Sequence, residues 1–344
     1  MDGLFKENAM ITRAFTYLCL LISVNAGAEP YTPADDEIIA KARTINTAHL
    51  NQDELMTLLI NSQQVGQTEL RQGLLKNQLQ QRYAQSPTPQ IGYMYARVLQ
   101  REHQFSAALA ITDAVLKRDP NHVNTHLLRA NMLMVQGDFK AAKQQCLKLL
   151  ALTAMDVINT CTFDVLSQDG QLAQSYQSLA NSITSNKQSD NTRHVLAEMA
   201  LRLNKPDEAI AHIQSLPLKT APVSLVVLWA DIYLAQGNYQ KVLNTLPALV
   251  NEKQNLEDAL LLRLAIAEQH YNDTSLKQWQ NLMAQRVALR ELRQDSFHAS
   301  DLAHYYLDIN KQPEKALYWA KINWQQAKLN ADQQLLTRAQ GASL

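Results

Sequence analysis

The sequence predicts an all-α protein that grows by repetition, a solenoid of antiparallel helix pairs. Three observations predict it. "LQREHQFSAALAITDAVLKRDP" (99–120) lies over "LMVQGDFKAAKQQCLKLLALTA" (133–154) with Phe105 on Phe139, an offset of 34. The same frame returns at 33 to 34 residues in "ALRLNKPDEAIAHIQSL", "WADIYLAQGNYQKVLNTL" and "YYLDINKQPEKALYWAK", with a weaker copy in "LSQDGQLAQSYQSLA". A fixed period of this size marks a stacked-repeat fold. Finally, the 344 residues contain only 9 glycines. Such a chain favours helices and leaves few residues for tight hairpins or phosphate-cradling loops.

The elements follow in chain order. Arg13 precedes "AFTYLCLLISV" (14–24), an apolar run too short to span a bilayer. Ala26-Gly27-Ala28 then has the small-x-small form of a signal-peptidase site, so residues 1–28 read as a signal peptide cleaved after Ala28. Met10 makes a more usual leader start than Met1, because "MITR" is basic and "MDGLFKEN" is acidic. Tyr17-Leu18 before Cys19 does not fit a lipoprotein anchor, and no second apolar segment has membrane length. The mature protein is expected outside the cytoplasm, secreted or in the periplasm if the source is Gram-negative.

Residues 29–87 fall outside the frame and read as an N-terminal helical cap. In "YTPADDEIIAKA", Thr32 caps a helix, Pro33 suits its first position, and Asp35, Asp36 and Glu37 sit at the positive end of the dipole. An acidic first turn needs no metal. "DELMTLLINSQQ" and "TELRQGLLKNQLQQRYA" read as a further helix pair, and "QSPTPQ" (85–90) as a linker. The array occupies 88–329. In its units, small residues such as Ala130 and Ala142 let two helices approach closely. Gly137 takes the left-handed conformation that ends a first helix, and Asp138 caps the second. Pro120 closes the second helix of its unit. A lone unit leaves an apolar face, so units stack. Residues 330–344 read as a solvating final helix, "NADQQLLTRAQ", and a frayed "GASL".

These residues resemble the tetratricopeptide repeat (TPR) superfamily. The likeness rests on Ala96, Leu99, Phe105, Ala108 and Pro120; on Ala130, Leu133, Gly137, Phe139 and Ala142; and on Trp229, Ala230, Tyr233, Gly237 and Tyr239. It covers roughly 88–325, with departures such as Ser175 and His304 where small residues are usual. The order of "YTPADDEII", "RANMLMVQGDFKAAKQQC", "LAEMALRL", "ALLLRLAIAE" and "ALYWAKINW" is similar to that of uncharacterised secreted bacterial TPR proteins. The resemblance implies a right-handed superhelix and an exported compartment, and it implies no activity.

Two cysteines remain after the leader. Cys146 falls in the second helix of one unit and Cys161 in the first helix of the next, level across the turn near Thr153-Ala154. In an oxidising compartment they are expected to form one disulfide. A redox catalyst is not indicated, since there is no C-x-x-C pair.

The charge balance, 32 basic against 32 acidic residues, gives no footprint for nucleic acid or anionic lipid. No G-x-S-x-G, H-E-x-x-H, glycine phosphate loop or dinucleotide fingerprint is present, and no cofactor or metal is implied. His122 and His126 have helical metal spacing but lack a third ligand. His298, Asp301, Tyr305 and Asp308 fall on one helical face, which reads as a polar groove or as an acid-base constellation. Tyr318, Trp319 and Trp324 read as packing near the end of the stack.

Repeat arrays bind on the wall made by their first helices. One wall position per unit reads Arg97, Asn131, Asp164, Glu198, Asp231, and the position four earlier reads Tyr93, Leu127, Thr160, His194, Val227. With Arg101, the ladder begins basic and becomes acidic. A peptide is expected to lie along it with an acidic group near Arg97, Arg101 and Asn131. The leading expectation is therefore a non-catalytic scaffold binding a protein or peptide partner in the cell envelope, as an adaptor or assembly factor. The competing expectations are an envelope enzyme acting on glycan or peptide through the His298–Asp308 face, and a self-associating structural array. The sequence leaves the oligomeric state open.

Overall fold

The computed structural model describes residues 50–68, 72–183, 188–250, 255–271 and 277–343. The expected signal peptide, its cleavage after Ala28 and the acidic helix start at 32–37 lie outside these residues. Among the described residues there is no β-strand, only an isolated bridge between Gln64 and Pro222.

Two helices, α1 (Gln52–Asn61) and α2 (Gln72–Gln85), precede the repeats. Leu55 and Leu59 of α1 and Leu75 and Leu79 of α2 bury against Ile91 and Met94 of α3 (Pro89–Arg101). The linker expected at 85–90 is shorter than its composition indicates. Gln85 still belongs to α2, and Thr88 already caps α3 by accepting from the Ile91 amide.

Seven antiparallel pairs follow. They are α3 with α4 (Phe105–Arg118), α5 (Val123–Val135) with α6 (Phe139–Leu147), and α7 (Met155–Gln168) with α8 (Leu172–Ser182). Next come α9 (Asp190–Arg202) with α10 (Pro206–Ile213), α11 (Val223–Ala235) with α12 (Tyr239–Thr245), and α13 (Asp258–His270) with α14 (Gln278–Leu292). The last pair is α15 (Ala299–His304), continued by a π-helical turn over Tyr305–Ile309, with α16 (Pro313–Gln326). A final helix, α17 (Asn330–Ala342), packs on α16.

The crossings are as close as the small residues allow. Ala108, Ala142, Ala209 and Ala316 are fully buried, and Ser175 does the same work at the weak copy. The joints keep the frame better than the residue types do. His103, Gly137, Gly170, Asn204 and Gly237 stand 33 to 34 apart, and each has positive φ, between 55° and 83°. That conformation frees the end of a first helix to turn back. At Gly137 and Gly237 glycine adopts it without strain, and Asn204 is the next best choice. At His103 the joint falls on a residue that adopts it less readily than glycine. Asp138 caps α6 as expected, accepting from the Ala141 amide at 3.0 Å.

Two features depart from an open array. The loop after α1 crosses to the middle of the stack. The Gln63 carbonyl accepts from the Val223 amide at 2.8 Å, Val65 joins the apolar core of the later repeats, and Glu257 Oε1 accepts from the Gly66 amide and Thr68 Oγ1. The second crossing lies at the entry to α17. The Lys328 amide donates to the Val135 carbonyl at 2.7 Å, Leu329 packs with Ala130, Met134 and Cys146, and Asn330 bonds Gln168. The final helix, expected to be a solvating one, instead buries Leu335 and Ala339, and Ser343 Oγ still reaches the Pro313 carbonyl.

Candidate functional site

Successive first helices, α3, α5, α7, α9, α11, α13 and α15, lie side by side, whereas successive second helices make at most marginal contact. The first helices therefore form the tighter, inner wall. Each expected ladder residue can be placed on it.

At the basic end, Tyr93 is buried, with its ring 5.7 Å from that of His122, and Arg97 lies over it at 5.9 Å. Arg101 is not open to a ligand. It donates to the Ser62 carbonyl at 3.2 Å and to Ser62 Oγ at 2.6 Å, so the α1 loop occupies the place expected for a peptide's acidic group.

Leu127, Asn131, Thr160 and Asp164 converge on one cavity of about 220 Å³ between α5 and α7, closed on one side by Asn191 of α9. Ala130, Met134, Val157, Val165 and Cys161 make its floor. Cys161 is joined to Cys146 by a disulfide with a Cα–Cα distance of 5.6 Å, the expected link between repeats. Thr160 is spoken for, since its hydroxyl donates to the Asp156 carbonyl and contacts Thr192 Oγ1. Asp164 is not. Among the described residues its carboxylate oxygens have no hydrogen-bond partner and no ion pair within 4 Å.

Burial pushes the Asp164 carboxyl up to about 8, with a further push from Glu198 and an opposing pull from Arg202. Glu198 accepts from Gln168 at 3.2 Å and lies 3.9 Å from Arg202, which donates to Ser167. Burial lowers the His194 pKa, against the pull of Glu198. The two carboxyls thus share one nearby cation, and Asp164 keeps its proton at neutral pH.

A stability prediction follows from that proton. Asp164 titrates near 3.8 when unfolded and near 8 when folded. Between these values the folded state holds a proton that the unfolded state has released, so stability falls as pH rises from about 4 to about 8. Asp164→Asn is expected to be near neutral at pH 4.5 and stabilising by about 2 kcal/mol at pH 9, water in the cavity relieving part of the penalty. Urea unfolding of both proteins at the two pH values checks this. An equal effect at both sinks the protonated carboxyl.

Further along, Asp231 accepts two hydrogen bonds from Arg263, at 2.8 and 2.9 Å. Burial opposes the Arg263 charge, but Asp231, Asp301 and Asp308 outweigh it and raise its pKa. The expected run from basic to acidic is therefore corrected. Arg101 is engaged, Asp164 is protonated, and Asp231 is neutralised. Arg263 was missed because it lies 32 residues after Asp231 in "ALLLRLAIAE", whereas the ladder steps of 33 or 34 land on Leu264 or Ala265.

The His298–Asp308 face does not form. His298 contacts Asp295 at 3.1 Å, Asp301 lies 3.6 Å from Arg263, Tyr305 is buried in the core, and Asp308 pairs with His304 and Arg338. The π-helical turn adds a residue to the helical register after His304 and breaks the face at that point. His122 caps its own helix, and His126 is buried between Gln145 and the Pro120 carbonyl. Trp319 is buried against Ala316 and Ala320, while Tyr318 is exposed. No group of three or more His, Cys, Asp or Glu suited to a metal occurs among the described residues. Nor is any described helix long and apolar enough to cross a membrane.

The helix pairs, the recurring left-handed joints and the inner wall of first helices define a TPR-like α-solenoid. No protein-family model and no curated protein matches the sequence. Among solved structures the chain is similar to the APC/C hetero-tetramer Cut9-Hcn1, at 14% identity over 86% of this chain, with a TM-score of 0.49. It spans 57% of the length of that chain. It is also similar to the P58(IPK) TPR domain, at 11% identity over 85% of this chain and 98% of that one, with a TM-score of 0.26.

Proposed function

We propose that this protein is a non-catalytic scaffold that takes an extended peptide segment of a partner protein into the cavity between α5 and α7. The observation that carries this is the contrast along the inner wall. At Arg101 and Asp231 the wall is closed by the chain's own crossing and ion pair, while at Leu127, Asn131 and Asp164 it keeps an apolar floor with the unpartnered Asp164 carboxyl at its rim. A mostly apolar concavity with a few convergent polar groups is the usual form of a binding site. Export through a leader over residues 1–28 remains part of the reading, with residues 29–87 as a cap and 88–329 as the array. The Cys146–Cys161 disulfide supports an oxidising compartment such as the cell envelope.

The test is selection of displayed random peptides on the purified full chain, against an Asn131→Trp variant. The indole fills the cavity from an exposed position and leaves the core alone. The expected result is a family of bound peptides whose affinity drops tenfold or more in the variant. Peptides that bind both proteins equally, or none that bind the wild type, overturn the proposal.

A further inference from the structure

The ligand-facing chemistry of the cavity can be taken one step further, resting on the reading of it as a peptide site. Its wall offers acceptors and no cation. Asp164 presents an unpartnered carboxyl, and the side-chain carbonyls of Asn191 and of Asn131, which accepts one long bond from Gln100 at 3.4 Å and keeps a second lone pair, border the same space. Leu127 and Met134 from α5 and Val157 and Val165 from α7 supply the apolar lining beneath.

The charges that face Asp164 come from α9. They are Glu198, Arg202 and, through Glu198, His194. From α5 only uncharged side chains face it, namely Leu127, Ala130, Asn131 and Met134. With both carboxyls ionised, the pair exceeds its one cation, Arg202, by one negative charge. Burial keeps the His194 imidazole from supplying the missing positive charge. The empty site meets the excess by keeping a proton. A ligand that brings its own positive charge removes the need for that proton.

We propose that the cavity is a lysine pocket, in which a lysine of the partner peptide lays its methylene stem on the Leu127–Val165 floor and sets its ammonium against Asp164. A long cationic side chain that is apolar along its stem fits such a lining. The ammonium has three donors, which Asp164, Asn131 and Asn191 can take up. A guanidinium has five in a rigid fork and leaves some unmet. The proton balance follows. Below pH 8 the carboxyl starts as COOH and ends as carboxylate beside the ammonium, so its proton goes to solvent while lysine keeps its own. Close to one proton is released per peptide bound at pH 7, and few at pH 9. Affinity weakens about tenfold for each pH unit below about 8.

The test uses the peptides selected on the wild type. The expected result is one position enriched in lysine, and a drop of at least tenfold when that lysine becomes norleucine, which keeps the stem and loses the charge. Isothermal titration at pH 7 in two buffers of different ionisation enthalpy should show proton release. Asp164→Asn should lose the lysine preference, the proton release and the pH dependence together. Circular dichroism checks its fold, and the norleucine arm keeps the test decisive if that variant misfolds. Selected peptides with no lysine position, arginine enriched in its place, or binding without proton release overturn the lysine pocket while the scaffold reading stands. No selected peptide at all overturns the scaffold reading, and the pocket with it.

Discussion

Replacing Asp258 by alanine is expected to destabilise the fold by about 3–5 kcal/mol, the range for breaking a buried ion pair from one side. Asp258 opens α13, and its side chain is 1% exposed. Its two oxygens accept from Arg286 at 2.6 Å and from Arg290 at 2.8 Å, both on α14. Arg290 also donates to Asp295 at 2.9 Å, and Asp295 contacts His298 at the entrance to α15. One carboxylate therefore organises the contact between two repeats. Its removal takes away the carboxylate that two arginines share in a desolvated place, and leaves Arg290 with Asp295. Asp258→Asn keeps the shape and part of the hydrogen bonding, so its loss should be smaller. Guanidinium unfolding followed by circular dichroism gives both values. A loss below 1 kcal/mol for the alanine variant would falsify the view that this network locks repeats six and seven.

The second large effect concerns the disulfide. Cys146 and Cys161 are 15 residues apart, and closing a loop of that length restricts the unfolded chain by about 3 kcal/mol on chain-entropy grounds. Cys146 is fully buried beside Ala142, so substitution alone mixes lost packing with the lost cross-link. The cleaner comparison is the wild type with and without reductant, beside a Cys146→Ala, Cys161→Ala double variant. Reductant should lower the wild-type midpoint and leave the variant's unchanged. A wild type insensitive to reductant sinks the stabilising role. Cys161 also lines the cavity, so reduction should weaken peptide binding through a looser floor.

Much of the local structure was legible because it depends on near neighbours in sequence. Gly137 followed by Asp138 predicts a left-handed end and a cap, and both occur. The two cysteines were placed level across their turn by helix direction alone. At other points the identities misled. His103 does not announce a left-handed joint as glycine or Asn204 does, yet it adopts one at the same place in the frame, because the packed pair on either side demands the same return. The candidate site was half legible. The frame picked out Leu127, Asn131, Thr160 and Asp164, which do line one cavity. It assigned them the wrong electrostatics, since charge along a wall depends on what lies across it.

What the sequence by itself determined is the repeating unit: its period, its buried small residues, its caps, and the faces that must be covered. These follow from short-range sterics and from burial of an apolar stripe, both periodic along the chain. What only the tertiary structure decided is which parts of the inner wall remain open. The loop after α1 takes Arg101 and reaches Glu257, and the segment before α17 reaches Val135 and Gln168. Apart from Arg101 with Ser62, these contacts join residues some 160 to 190 positions apart, as in Gln168 with Asn330 and Gly66 with Glu257. No periodicity encodes them. They arise because the stack curves until distant repeats come within hydrogen-bonding reach, and burial then fixes whether a carboxyl such as Asp164 carries a charge or a proton.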